Sequence, residues 1–214
     1  MVENIIPFSR NNEPNYIRGW YMPGEMCDNL IALFENNQDK HTEGRSGVGI
    51  VNKLVKDSTD LAINYFSEFY QNQSLYAYMC WLSAFVELYK DEFKFMSTGL
   101  KPWSIVEPIN IQKYNPSQGF HVIHCENDSS RTSLRILVFQ TYLNTIIDGG
   151  ETEFPQQKLK TPAQKGLTIL FPAGWTHPHR GCVSKTETKY IITGWFSYNS
   201  IDYGMDEQDD SNKN

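Results

Sequence analysis

The chain has 214 residues, 40% hydrophobic and 14% aromatic, enough for one ordinary domain with a sizeable core and unlike a disordered chain or a disulfide-stapled miniprotein. Formal charge is −6 and the isoelectric point about 5.4; binding nucleic acid requires an excess of Lys and Arg to neutralise phosphates, so no nucleic-acid partner is expected. No apolar run approaches the roughly 18 residues of a membrane helix, and MVENIIPFSRNN has neither the basic region nor the apolar run of a secretory leader, so the expected setting is cytoplasmic, with no membrane attachment.

No internal repeat and no low-complexity linker interrupts the sequence, which predicts one continuous domain over 1–201. Within it, 1–100 reads as a helical and irregular support region and 101–201 as a β core. The remaining 202–214 is an acidic tail, with Asp202, Asp206, Glu207, Asp209 and Asp210 against Lys213. Cys27, Cys80, Cys125 and Cys182 are scattered, with no CxxC pair, so reduced thiols are expected and no cysteine zinc site.

In chain order, Met26, Leu30, Ile31 and Phe34 recur at helical spacing behind Pro23-Gly24 and predict an amphipathic helix. The stretch His41 to Thr59 holds Gly44, Gly47 and Gly49 but fits no phosphate-binding motif. It reads as a surface loop or strand pair, or, more sharply, as a flap over an active site. A longer helix is expected from Leu75 to Phe93, its stripe of Leu75, Met79, Leu82, Val86, Tyr89 and Phe93 serving the core.

From Ile105 the apolar pattern changes to period two. Ile109 to Tyr114, Leu134 to Leu143, Leu167 to Phe171 and Tyr190 to Tyr198 read as strands, separated by turn signals at Asn115-Pro116, Gly119, Gly149-Gly150, Lys165-Gly166 and Pro172-Ala173-Gly174. Short strands with frequent turns predict a sandwich or jelly roll, and Gly149-Gly150 predicts backbone with positive φ.

Four of the five histidines, His121, His124, His177 and His179, lie in this β half. In extended backbone residues i and i+2 face the same side, so His124 and Glu126 present an imidazole and a carboxylate together. A later histidine would complete two imidazoles and one carboxylate on one face of an ion, the donor set that suits non-haem Fe(II). Taken alone, the His-x-Glu tripeptide is weak evidence. Lys189 is a cation opening the apolar strand YIITGWF, an odd place for a charge without an anionic partner. Arg135, inside another apolar strand, reads as one half of a structural salt bridge, and His121 as an ordinary satisfied histidine.

The ordered set Tyr114, His124-Cys-Glu126, Tyr142-Leu-Asn144, Gly149-Gly-Glu-Thr-Glu-Phe-Pro155, Lys165-Gly166, Phe171-Pro172, His179 and Lys189-Tyr-Ile-Ile-Thr-Gly-Trp195 resembles the 2-oxoglutarate and Fe(II)-dependent dioxygenases of the prolyl 4-hydroxylase-like branch. The likeness spans Ile105 to Tyr198.

The resemblance implies a mainly β fold with α: a double-stranded β-helix (jelly roll) core of about eight strands with N-terminal support helices. It implies Fe(II) held by His124, Glu126 and His179, with 2-oxoglutarate and O2 as cosubstrates. His177 is the other candidate for the distal ligand; Lys189 follows His179 at the interval the family keeps, which favours His179. Lys189 would hold the far carboxylate of 2-oxoglutarate, with Tyr142 and Tyr114 reaching the cosubstrate through their hydroxyls. On strand alternation Thr193 would hydrogen-bond the same carboxylate and Trp195 would wall the pocket. The implied activity is hydroxylation of a substrate C–H bond, with a peptidyl proline as the first choice of target. A peptide or protein substrate is therefore expected, with a small molecule as the lesser option. The rival readings are nucleic-acid base demethylation on the same fold and a jelly-roll binding module without turnover. The sequence departs from the family in placing Glu126 where most members have aspartate, so one extra methylene must fold back. Related halogenases lack this carboxylate, so its presence argues against halogenation.

Overall fold

The computed structural model describes residues 5–8, 15–47, 49–64 and 71–199, and the acidic segment 202–214 lies outside them. Its strands are β1 (Ile6–Pro7), β2 (Arg18–Tyr21), β3 (Thr42–Glu43), β4 (Thr59–Ile63), β5 (Trp103–Ser104), β6 (Ile109–Tyr114), β7 (Arg135–Tyr142), β8 (Thr152–Phe154), β9 (Leu159–Thr161), β10 (Leu167–Pro172), β11 (Arg180–Gly181) and β12 (Lys189–Tyr198). The helices are α1 (Gly24–Glu35), α2 (Gln73–Glu92) and the single turn α3 (Phe95–Thr98).

A nine-stranded antiparallel sheet runs β1-β2-β10-β7-β12-β6-β4-β3, with β5 attached to β12, and a smaller sheet runs β11-β8-β9. Period-two alternation sends neighbouring side chains of the central strands to opposite faces. Leu137 and Phe139 of β7 and Ile192 of β12 join the core beneath the helices, with Leu30 and Phe34 of α1 and Tyr78, Leu82 and Phe85 of α2. Val138, Tyr142 and Ile191 point the other way, into a second core with Phe154, Ile169 and Phe171. This is the expected jelly-roll layout, mainly β with supporting helices. The Asn72 side chain caps α2 by accepting from Ser74 and Leu75 N–H at 3.0 and 3.1 Å, which starts the helix two residues before the first apolar position of its stripe. The four cysteines are free thiols, and no described helix is long and apolar enough to cross a membrane.

Two expectations need correction. The support region is not only helical and irregular: β2 pairs with β10 from Leu167 to Leu170, and β4 pairs with the whole of β6 except its last residue. Both strands are short, and β2 contains a buried Arg18, so neither carries a legible alternation. The second concerns His124 and Glu126, which sit on no regular strand. Their segment bends at Val122 and Glu126 and is joined to its neighbours at single points.

The stretch from His41 to Thr59 forms the pair β3–β4 at its ends and a tight turn closed by Ser46 and Ile50 between them. Gly149 and Gly150 have φ of +81° and +79°, and a Cβ on Gly149 would lie 2.3 Å from the Val183 carbonyl oxygen. Glycine is obligatory there.

Candidate active site

The site is assembled where the end of β10, the run into β11 and the segment around His124 come together beside the centre of the main sheet. The His124 N–H donates to the His179 carbonyl at 3.0 Å, and the His179 N–H donates back at 2.9 Å. Two residues on, the Glu126 N–H donates to the Ala173 carbonyl at 2.9 Å. These three bonds fix the backbone from which the side chains project.

The imidazoles are fixed in turn. His124 Nδ1 lies 3.0 Å from the Val122 carbonyl and His179 Nδ1 lies 3.0 Å from the His177 carbonyl. A carbonyl only accepts, so each Nδ1 carries the hydrogen, and in the neutral ring Nε2 keeps its lone pair. Phe120 stacks on His124 at 3.7 Å between centroids, and Phe171 meets His179 edge-on at 4.8 Å. Both Nε2 atoms lie 3.4 Å from Glu126 Oε1.

Burial alone would raise the Glu126 carboxyl, but His124 and His179, which bond to it and carry charge when protonated, outweigh burial and hold the group well below the usual carboxylate range. The carboxylate is therefore ionised at neutral pH. Its other oxygen, Oε2, accepts from the Trp195 indole N–H at 2.9 Å.

The three donor atoms lie within 4.8 Å of one another. Bonds of about 2 Å from N and O donors to one ion put adjacent donors about 3 Å apart, so the trio fits a metal, with ring tautomers and carboxylate charge already in the ligating state. His177 is not part of it. Its Nε2 donates to the Asn15 carbonyl at 2.7 Å and its Nδ1 lies 2.9 Å from the Thr176 hydroxyl, so both ring nitrogens are spent.

Lys189 opens β12 and is 5% exposed. Its Nζ is 3.3 Å from the Gly150 carbonyl and 3.4 Å from that of Cys182, and lies 4.9 Å from the centre of the Tyr114 ring. Burial pulls its pKa down to about 8. Among the described residues no carboxylate lies within salt-bridge distance of it, so the ammonium is set in carbonyl dipoles with room for an anion. It shares a cleft of about 970 Å³ with His124, Glu126 and His179.

The other expected residues divide. Tyr114 lines the cleft, but its hydroxyl donates to Gln112 at 2.7 Å and has no hydrogen left for a cosubstrate in this arrangement. Trp195 lines it and also holds Glu126, which the sequence did not indicate. Thr193 lines it too, but its hydroxyl donates to the Phe139 carbonyl at 2.9 Å. A hydroxyl has one hydrogen, so the expected bond from Thr193 to a cosubstrate carboxylate is not available in this arrangement.

Tyr142 is fully buried behind the wall, with its hydroxyl 2.6 Å from that of Thr152 and 3.0 Å from that of Thr161. The cleft surface in front of it is made by Thr152 and by Gln140, whose amide donates to Thr152 at 2.8 Å. Tyr142 thus braces Thr152 instead of reaching the cleft itself. Gln140 was the missed signal, a polar residue inside the apolar run LRILVFQTYL. Arg135 makes the expected salt bridge, bidentate to Glu107 at 2.8 and 2.5 Å. The Lys56–Asp60 pair, 2.6 Å apart and buried, forms another stretch of cleft wall that the sequence did not disclose.

The family model described as the 2OG-Fe(II) oxygenase superfamily matches residues 109–197, the stretch that carries the trio and Lys189. Over that stretch this chain is similar to that superfamily. Members of the 2OG-Fe(II) oxygenase superfamily are oxygenases that use Fe(II), 2-oxoglutarate and O2.

Solved structures with the same fold include a viral collagen prolyl hydroxylase from Paramecium bursaria Chlorella virus-1 in its 2-oxoglutarate complex. It is 18% identical, with 87% of this chain and 98% of that one covered and a TM-score of 0.65. A prolyl 4-hydroxylase from Pseudomonas putida is 14% identical, with coverage of 87% and 95% and a TM-score of 0.65. A prolyl hydroxylase from Trichoplax adhaerens, in complex with a hypoxia-inducible-factor oxygen-degradation-domain peptide, is 15% identical, with coverage of 86% and 84% and a TM-score of 0.66. No curated protein sequence matches the chain.

Proposed function

We propose that this 2OG-Fe(II) oxygenase hydroxylates a prolyl residue of a peptide or protein, with Fe(II) held by His124, Glu126 and His179 and 2-oxoglutarate anchored by Lys189. The observation that carries the reading is the convergence of two imidazole nitrogens and one carboxylate oxygen, each in its ligating state, in a cleft that also holds a buried ammonium. The prolyl target rests on the structures of like fold, which are prolyl hydroxylases, one of them bound to a peptide fragment.

When bound, Fe(II) supplies the reaction of O2 with 2-oxoglutarate, giving succinate, CO2 and a hydroxylated substrate carbon. The protein's own residues do the rest. His124, Glu126 and His179 would hold the ion through three donor atoms, fewer than it can take, so that cosubstrate and O2 could also bind it. Lys189 offsets the charge of the far carboxylate, which costs less for a cation already stripped of water than for a solvated one. Phe120, Phe171 and Phe154 crowd the histidine rings and keep water off that side. Around the mouth, Val122, Ile123 and Trp175 are exposed apolar side chains, a surface that suits an extended apolar peptide better than a phosphate backbone.

Anaerobic titration with Fe(II) and 2-oxoglutarate tests the site, through the visible metal-to-ligand charge-transfer band. The wild type should show it, and Glu126→Ala and His179→Ala should not. Succinate release should then rise with a proline-containing peptide and not with methylated single-stranded DNA; the reverse order would replace the prolyl reading with base demethylation.

A further inference from the structure

Glu126 is one methylene longer than an aspartate would be, and the structure shows where that length goes. The carboxylate is turned so that its two oxygens have different neighbours. Oε1 faces His124 and His179 at 3.4 Å from each Nε2, while Oε2 faces away and accepts the Trp195 indole N–H at 2.9 Å. Trp195 is itself held. The Arg135 guanidinium lies over its ring, with Cζ 3.7 Å from the centroid, within the range of a cation–π contact.

Arg135 in turn is locked by its two bonds to Glu107, and its Nη1 donates to the Glu126 backbone carbonyl at 3.2 Å and sits 3.6 Å from Oε2. The chain Glu107–Arg135–Trp195–Glu126 therefore ends on one carboxylate oxygen and on the backbone of the same residue. Trp195 and Arg135 stand on adjacent strands, β12 and β7, so the main sheet sets the geometry of this clamp.

We infer that Trp195, backed by Arg135, is a positioning residue that holds Glu126 as a one-oxygen ligand, so that glutamate and not aspartate is the side chain of the right length here. The inference rests on the proposed metal role of the trio. Shortening Glu126 by one methylene withdraws the carboxylate by about 1.5 Å, and from that position it cannot both meet the two Nε2 atoms and keep the indole.

The test is a double-mutant cycle of Trp195→Phe and Glu126→Asp on the full chain, read as the Kd for Mn(II) from the EPR signal of the free ion, without cosubstrate or turnover. Thermal unfolding of each variant is measured alongside. Phenylalanine keeps an aromatic ring for Arg135 to lie over while removing the indole donor. Trp195→Phe should weaken Mn(II) binding by about tenfold, the low end for losing a partner that orients a ligand. In the Glu126→Asp background it should cost almost nothing, because the contact is already gone. Glu126→Asp alone should bind Mn(II) more weakly than the wild type.

The inference is overturned if Glu126→Asp binds as tightly as the wild type, a result that does not depend on whether Trp195→Phe folds. It is also overturned if Trp195→Phe costs the same in both backgrounds, as a merely structural role would give. A wild type with no Mn(II) affinity at all would bring down the metal reading and this inference together, whereas tight binding with no coupling would bring down this inference alone.

Discussion

His124 and His179 exchange both of their backbone hydrogen bonds with each other, so the two rings that face Glu126 are placed by main chain. Removing a side chain leaves that bridge intact. His179→Ala should therefore lose Fe(II) binding with the bridge kept, and Glu126→Ala should lose it too, with the added cost of leaving the Trp195 indole N–H without its acceptor. His177→Ala should do the opposite, keeping the metal and losing about 1 to 3 kcal/mol of stability, because it orphans a buried carbonyl at Asn15. Metal titration and urea unfolding of the three variants separate the two behaviours.

Lys189 gives a pH dependence with a definite sign. Burial takes its pKa from 10.5 down to about 8 in the folded chain, while the unfolded chain keeps the ordinary value. Between about 8 and 10.5 the unfolded state thus binds more proton, and the stability of the cosubstrate-free protein should rise with pH across that window. Cosubstrate binding should go the other way. As the free lysine loses its charge above about pH 8, the apparent Kd for 2-oxoglutarate should rise by up to about tenfold per pH unit. Lys189→Met should flatten both profiles and weaken 2-oxoglutarate at neutral pH; calorimetric titrations from pH 7 to 9.5 check this.

Glycine substitutions should distinguish strain from crowding. Gly149 and Gly47 both have positive φ, but a Cβ on Gly149 meets the Val183 carbonyl at 2.3 Å, whereas one on Gly47 meets nothing within 4 Å. Gly149→Ala should cost well above the roughly 1 kcal/mol of a left-handed alanine, and Gly47→Ala about that amount. Only Gly149→Ala should also raise the KM for 2-oxoglutarate, since the neighbouring Gly150 carbonyl is one of the two that hold Lys189.

The central strands and both long helices were legible because each carries a clear period: β6, β7, β10 and β12 fall within a residue or so of where alternation put them. What was not legible is what depends on distant pairing. β2 and β4 are strands because β10 and β6 present open edges to them, a fact that RGWY and TDLAI do not contain.

The site divides in the same way. His124, Glu126, His179 and Lys189 announced themselves as polar residues in apolar or motif-bearing surroundings. The roles of Tyr142, Thr193 and Trp195 turn on where one hydroxyl or indole hydrogen goes, and that is decided by neighbours such as Thr152, Phe139 and Glu126 itself.

The second strand makes the β core inseparable from what precedes it. β2 covers the outer side of β10, Arg18 clasps Glu92 of α2 at 2.7 and 2.5 Å, and the Asn15 carbonyl secures His177, two residues before His179. An excised fragment beginning near residue 101 would bare the backbone donors and acceptors of β10 alongside its apolar side chains, an invitation to strand-to-strand self-association. Such a fragment should elute as aggregate on gel filtration, whatever its share of the family signature.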